Sequence, residues 1–523
     1  MTRLLIKKRY LKLQLLIFIS FTSELAFSDK TINEESFQAI PQTVVSSLKK
    51  NQIPPEALSI SITEIPTELD QLHNTKNIIE WRSNIAMNPA STMKLVTTIA
   101  SLDILGPQYQ WTTNIYTDGV IENSTLIGNI YFQGDGDPRL TSDELNKLML
   151  SLKAIGIEKI DGNLIFDRSA YSPKDMEHIT IDGETTRSYN LPPDPLLYSF
   201  RTLSFELIKN SSSNSVDITL DPPLALFKID NKLKLIDGQC EEWREKLQFR
   251  ILSPKNNLDN NNQLTAQFLG TFAKSCPDID FNIVNLDPNT FLTKGIAAAW
   301  ERNGGIWGKS PTGMDGSIPT RATLLLSFKG SHLSDVVMDV NKHSNNVMAR
   351  QLLLTLSLNQ KGKPATTDNG EIVVNEWLTS KGLNFNDLNM ENGSGLSRTE
   401  TISTRNLTDL LVTARHLSIS NDFFKSLPVA GTDGTMKDRL VPYFKKYESL
   451  SVPPQARIKT GSLTQVRAIS GYVISKSGKM YAASSFINHP NSSRGREAHD
   501  QLLIWLLEDG PATKQIKVHP SQK

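Results

Sequence analysis

The chain is 523 residues long, 38% apolar and 21% charged, with a formal net charge of +1. That length accommodates two or three domains with well-buried cores, and the composition is that of a folded globular protein without a disordered bias. The near-neutral charge excludes the basic footprint of a nucleic-acid binder. Eight scattered histidines and two cysteines offer no metal site at a recognisable ligand spacing, so neither a metal nor another cofactor is expected.

The chain opens on basic residues, Arg3, Lys7, Lys8, Arg9 and Lys12, followed by a short apolar run from Leu13 to Phe21 and by Ala26-Phe27-Ser28 before Asp29. This order describes a secretory signal peptide over residues 1–28. A membrane span needs about 20 apolar residues, and this run is shorter. The mature chain is therefore expected to begin near Asp29, to be exported to the periplasm and to carry no transmembrane span, with peripheral membrane contact left open. In an exported protein Cys240 and Cys276 are expected to form one disulfide, the alternative being two buried thiols. Closing that loop stabilises by about 3–4 kcal/mol in the chain-entropy model.

Within residues 53–86, alternation as in Leu58-Ser59-Ile60-Ser61-Ile62 predicts strands. Met93 to Leu105 reads as a mostly apolar helix stopped by Gly106-Pro107. Ser91 and Lys94 stand at its start, three residues apart and so on one helix face. Serine is a poor nucleophile until a base takes its proton, which a neutral lysine can do. The helix N-terminus also favours developing negative charge. Residues 29–108 are read as the first part of a catalytic domain.

Residues 109–316 are read as an inserted, mainly β region of two domains by their own punctuation. Gly134-Asp135-Gly136-Asp137-Pro138 marks a turn, Ser142–Ile155 a helix, Gly162 to Phe166 a strand, and Val216 to Leu235 further strands leading to the first cysteine. Residues 317–523 return to the catalytic domain. Leu333–Leu356 is expected to be helical around Ser344-Asn345-Asn346, 253 residues after Ser91. Ala456 to Lys459, Ser470 to Ile474 and Tyr481 to Ile487 read as neighbouring strands, the first leading into Lys459-Thr460-Gly461. Glu497 to Leu507 reads as an amphipathic helix.

Ser-x-x-Lys, Ser-x-Asn and Lys-Thr-Gly in that order mark penicillin-binding proteins and serine β-lactamases. Singly they are weak: Ser46 with Lys49 and Ser212 with Asn214 also match the first two. The ordered set is specific. The stretch Asn88-Pro-Ala-Ser-Thr-Met-Lys, together with Asn392-Gly-Ser-Gly-Leu-Ser-Arg398, Leu427-Pro-Val-Ala-Gly431, Asp433-Gly-Thr435 and Lys459-Thr-Gly-Ser-Leu463, resembles the class C low-molecular-mass penicillin-binding proteins. These are D-alanyl-D-alanine carboxypeptidase/endopeptidases of the penicillin-binding protein 4 type, and the likeness spans roughly Ile53 to Trp505.

The resemblance implies an α/β fold, a penicillin-binding/β-lactamase-like transpeptidase domain with an antiparallel sheet, helices on both faces and a large, mainly β insertion. It implies a peptidase acting on peptidoglycan stem peptides and acylated by β-lactam antibiotics. Ser91 would attack the carbonyl between two D-alanines, with Lys94 as base. A second cation about 4 Å away is worth about 4 kcal/mol at an effective dielectric of 20, so Lys459 would help keep Lys94 neutral, and burial would add to it. Ser344 fits a proton relay toward the leaving nitrogen and Asn346 an amide anchor. By the resemblance, Lys459 and Thr460 hold the terminal carboxylate, Gly461 lets the strand approach, and the N–H groups of Ser91 and Ser462 form the oxyanion hole. Arg398 and Asp167 match positions that meet the two ends of a diaminopimelate side chain. Arg350, Asn392 and Gln465 depart from the family pattern, at places that touch substrate preference before activity. A serine β-lactamase and a non-catalytic peptidoglycan-binding relative are the alternatives.

Overall fold

Alternation along five strands organises the part of the chain that carries the three motifs. Strands β1 (Leu58–Ile65), β2 (Lys76–Trp81), β3 (Gln455–Leu463), β4 (Val466–Ile474) and β5 (Met480–Asn488) form one antiparallel sheet in the order β3-β4-β5-β1-β2. Ile469 and Val473 of β4, with Tyr481, Ala483 and Ile487 of β5, face one core; Ala468, Tyr472, Ala482 and Phe486 face another. Both faces are therefore buried, each large aliphatic side chain contributing about 1.5–3 kcal/mol. The computed structural model describes residues 40–66, 75–177, 181, 188–210, 212–253, 263–450 and 453–513. The expected signal peptide and the mature start near Asp29 lie outside the described residues.

Helices α1 (Gln42–Lys50) and α6 (Arg496–Leu507) cover one face, inserting Val44 and Leu48 from α1 and Leu502, Leu503 and Leu506 from α6. The other face is covered by α2 (Lys94–Leu105), α3 (Leu333–His343), α4 (Asn346–Lys361) and α5 (Thr404–Ala414). Ser59 and Ser61 of β1 point to this second face and are satisfied there: Ser59 Oγ lies 2.7 Å from Thr404 Oγ1, and Thr408 Oγ1 donates to the Ser61 carbonyl. The expected fold class, an antiparallel sheet between helices, is what the chain adopts.

One expectation changes. Leu333–Leu356 is not a continuous helix, because Ser344 stands between α3 and α4 in the left-handed region at φ +57°. Asn345 then caps α4, its Oδ1 accepting from the Met348 amide. The break turns the Ser344 side chain out of the helical register.

Residues 110–332 form sheets of their own. A mixed five-stranded sheet has the order Gly313–Asp315, Leu164–Asp167, Ile130–Gly134, Gln110–Thr117 and Thr323–His332. Its last strand pairs with Gln110–Thr117, so the expected boundary at residue 316 falls inside a sheet that continues to His332. Four-stranded and three-stranded sheets follow, packed on a core that includes Phe205, Phe268 and Trp300. Cys240 and Cys276 are disulfide-bonded and sit beside the sheet Phe227–Ile236, Leu264–Ala273 and Leu247–Leu252. Among the described residues no helix is long and apolar enough to cross a membrane.

Candidate active site

The Asn88-Pro89-Ala90 segment presents Ser91. Asn88 Oδ1 accepts from the Ala90 amide and its Nδ2 donates to the Ser397 carbonyl, which fixes the approach to the helix. Ala90 is held at φ +44°, a strained conformation for a residue with a β-carbon. A 3-10 turn over Ala90–Met93 runs into α2, placing Ser91 one turn ahead of Lys94.

Lys94 is fully buried, and its Nζ has three oxygen neighbours: Ser91 Oγ at 3.0 Å, Asn346 Oδ1 at 2.6 Å and the Ser394 carbonyl at 2.5 Å. Two of these can only accept, while the Ser91 hydroxyl can also donate. A neutral amine has two N–H groups and one lone pair, so this arrangement satisfies it with the lone pair aimed at Ser91. The same set accepts all three N–H groups of an ammonium. A proton can pass from Ser91 to Lys94 without any neighbour moving.

The Lys94 pKa lies well below the usual lysine value, first because of burial and then because of Lys459; Glu400 acts in the opposite direction. Both causes are the expected ones, and burial is the larger. Lys459, also fully buried, is pushed down by burial to about 7. Its Nζ donates to Ser344 Oγ at 2.7 Å and to the Thr460 carbonyl at 2.9 Å.

Strand β3 packs directly on the Ser91 turn. A β-carbon on Gly461 would lie 2.6 Å from the Pro89 carbonyl and 3.1 Å from the Ser91 amide. Only glycine lets the strand come this close. The expected strand from Ala456 to Lys459 continues in β3 to Leu463, so that Lys459, Thr460 and Gly461 all lie within it. Thr460 Oγ1 meets Thr435 Oγ1 at 3.0 Å, and Ser462 is exposed, with Arg467 on its hydroxyl.

Ser91, Lys94, Ser344, Asn346, Lys459, Thr460 and Gly461 are thus brought together. Arg398 is exposed at one side, its Nη1 donating to the Thr464 carbonyl at 2.7 Å in the β3–β4 turn. Asp167 is buried at the end of Leu164–Asp167, its oxygens accepting from the Ser169 amide and Gln133 Nε2. Burial would raise its pKa, but these hydrogen bonds hold it below the usual carboxylate value. Those bonds stay within the 110–332 region. Of the departures, Arg350 is buried, donates to the Leu191 carbonyl and has its pKa lowered by burial to about 10. Asn392 is buried, its Oδ1 accepting from Ser394 and its Nδ2 donating to Leu396. Gln465 occupies the left-handed region at φ +66°.

Sequence reasoning missed three neighbours. The Ser394 carbonyl is invisible to side-chain motifs. Thr435 lies in a stretch noted only for its likeness. Tyr189, whose carbonyl accepts from Asn346 Nδ2 at 3.2 Å, comes from the 110–332 region and carries no local signal. A cleft of about 420 Å³ opens beside Ser344 and Asn346, walled by Tyr189 and Phe200. Among the described residues no cluster of His, Cys, Asp or Glu is arranged to hold a metal ion.

Comparison with known proteins gives concordant matches. The model of the D-Ala-D-Ala carboxypeptidase 3 (S13) family matches residues 48–508. The sequence is 24% identical over 425 residues to the D-alanyl-D-alanine carboxypeptidase DacB of Haemophilus influenzae, covering 80% of this chain and 84% of that protein. It is 25% identical over 436 residues to a D-alanyl-D-alanine carboxypeptidase of Actinomadura sp., covering 80% of this chain and 77% of that one. The crystal structure of penicillin binding protein 4 from Haemophilus influenzae superposes with a TM-score of 0.67 at 23% identity, over 89% of this chain and 99% of that chain, which shows the shared fold.

Proposed function

The chain belongs to the D-Ala-D-Ala carboxypeptidase 3 (S13) family, a family of serine DD-peptidases, and on that premise we propose that Ser91 is the nucleophile that opens D-alanyl-D-amino acid bonds of peptidoglycan stem peptides. The reading rests above all on the neighbours of Lys94: a dehydrated amine 3.0 Å from Ser91 Oγ, whose other two partners are carbonyl oxygens. As Ser91 Oγ bonds to the scissile carbonyl carbon, its proton moves to Lys94 Nζ. When the carbon–nitrogen bond breaks, Ser344 passes its proton to the leaving amine and is reprotonated through the site lysines, so that the proton taken up by Lys94 is given up and Lys94 is neutral again. A water then attacks the acyl carbon, giving its proton to Lys94, and Ser91 Oγ leaves with that proton as the free hydroxyl. Lys459 and Thr460 receive the substrate carboxylate, and the amides of Ser91 and Ser462 receive the oxyanion.

A β-lactam presents the same carbonyl chemistry, and a related fold has been crystallised as the Haemophilus penicillin binding protein 4 complexed with a β-lactam. This chain is therefore acylated by penicillins. Its substrate is part of the cell wall, which fits the exported, periplasmic location expected from the basic and apolar start of the chain. Labelled penicillin followed by peptide mass spectrometry should find the adduct on Ser91, with Ser91→Ala unlabelled. An adduct elsewhere overturns the assignment, and rapid turnover of the penicillin identifies a β-lactamase instead. Digestion of purified cell wall should release peptides lacking the terminal D-alanine, or stems freed from cross-links.

A further inference from the structure

The loop closed by the Asn389–Thr401 bridge carries a buried carboxylate that the reaction as described does not use. Glu400 has no solvent exposure. Its Oε1 accepts from three successive backbone amides, Glu391 at 3.0 Å, Asn392 at 2.8 Å and Gly393 at 3.1 Å. Its Oε2 is buried too and has no hydrogen-bond partner among the described residues. The segment gathered this way docks on α2 through two consecutive carbonyls: Gly393 accepts from Thr97 Oγ1 at 2.6 Å, and Ser394 accepts from Lys94 Nζ at 2.5 Å. Glu400 therefore fixes the position of one of the two fixed acceptors of Lys94.

We propose that Glu400 is a positioning residue for the acylation step, holding the Ser394 carbonyl on Lys94 and supplying the negative charge that stabilises the Lys94 ammonium once it has taken the Ser91 proton. This rests on Lys94 being the base. The need is physical: an ammonium buried without a counter-charge is costly. The two carbonyls on Nζ supply dipoles and no charge. The charged groups around the pair come from several elements. Lys459 of β3 opposes the charged form of Lys94, and Glu400 favours it. Arg350 of α4 lies in the field of Glu400, Glu391 and Asp175. Glu391, in the same loop, accepts from Ser397 and Thr399 at its own Oε2. Burial raises the Glu400 pKa above the ordinary carboxylate value, and the three amides and Lys94 work against that shift without reversing it.

The test compares residues of matched shape and different charge. In Glu400→Gln an oxygen still accepts the three amides, but the charge is gone. The acid limb of the second-order rate of penicillin acylation, which reports Lys94 losing its proton, should move down by about half a pH unit or more, because Lys94 becomes harder to protonate. The plateau rate should fall several-fold. Glu400→Asp and Glu400→Asn form a second pair at shorter reach. There the aspartate should keep the limb near its original position and the asparagine should not, so the comparison survives if Glu400→Gln does not fold. A merely structural glutamate would lower rates or melting temperature in every variant and leave the limb in place. An unmoved limb within either folded pair overturns the proposal. Failure of the Lys94 reading is distinguishable, since wild-type acylation would then show no limb that Lys94→Arg abolishes.

Discussion

Lys459 Nζ donates to Ser344 Oγ at 2.7 Å, and burial leaves that amine with a pKa of about 7. The two site lysines are thereby given opposite tasks. On the proposed mechanism Lys94 must be neutral to take a proton, and Lys459 must be charged to hold a carboxylate and to keep Lys94 neutral. The kcat/KM for an acyl-D-Ala-D-Ala peptide should be bell-shaped in pH, falling in acid as Lys94 protonates and in base as Lys459 deprotonates near 7. A bound substrate carboxylate stabilises the Lys459 charge, so the alkaline limb of kcat should lie higher than that of kcat/KM.

Stability should run the other way. Between pH 7 and the ordinary lysine pKa near 10.5, the unfolded chain holds a proton that folded Lys459 has lost. Unfolding is then accompanied by proton uptake, and Lys459 contributes stability that rises with pH across this window. Activity that falls above pH 7 while the Lys459 contribution rises cannot be due to loss of that contribution. Parallel rate and melting measurements on wild type and Lys459→Met should separate the two.

Gly461→Ala tests the contact between strand and nucleophile. The added methyl meets backbone, the Pro89 carbonyl and the Ser91 amide, neither of which can swing aside. Overpacking of this kind costs about 1–3 kcal/mol. Here it also displaces Ser91, so penicillin acylation should fall about 5-fold to 150-fold, by the same energy read as a rate. Near-normal acylation with an unchanged melting temperature would mean that β3 is free to retreat.

Much of this arrangement was legible because its parts are local. Ser91 and Lys94 share one helix face, the alternation of Leu58 to Ile62 gives away a strand, and Ser470 to Ile474 and Tyr481 to Ile487 read as its companions. The remainder depends on what distant segments bring. Ser344 leaves its helix through a left-handed residue that helical periodicity cannot announce. The Ser394 carbonyl is backbone, and Glu400 is one glutamate in a loop, with meaning only once three amides converge on it. Gln465 was visible as a departure, and its φ of +66° shows a turn position that favours glycine.

Removing the disulfide should separate stability from catalysis. Cys240 and Cys276 are 36 residues apart, so the chain-entropy model gives about 4 kcal/mol for the cross-link. The loop it closes lies wholly within the 110–332 region. A Cys240→Ser/Cys276→Ser protein should melt earlier or in an additional transition by calorimetry. Its rate of penicillin acylation at 25 °C should stay within about two-fold of wild type, as expected for sites that share no partners. A large loss of acylation would show that the sheet beside the disulfide supports the Ser91 site.

Arg398 offers a test of how far the site reads its substrate. Its Nη1 is on the Thr464 carbonyl, which ties the loop that positions Ser394 to the β3–β4 turn beyond Ser462. A guanidinium is suited to a carboxylate, which it can bind bidentately. On our reading Arg398→Ala weakens turnover of a diaminopimelyl peptide by about 1.5–3 kcal/mol, the usual contribution of a charge-assisted hydrogen bond. A short acyl-D-Ala-D-Ala peptide and penicillin lack that distal carboxylate and should lose far less. Arg398→Lys keeps the charge and can still reach a single acceptor, but it loses the fork, so it should recover the short substrate more fully than the diaminopimelyl one. Equal losses on all three substrates, restored together by lysine, would assign Arg398 to holding the β3–β4 turn. The oxyanion donor on Ser462 would then depend on it, and substrate length would not.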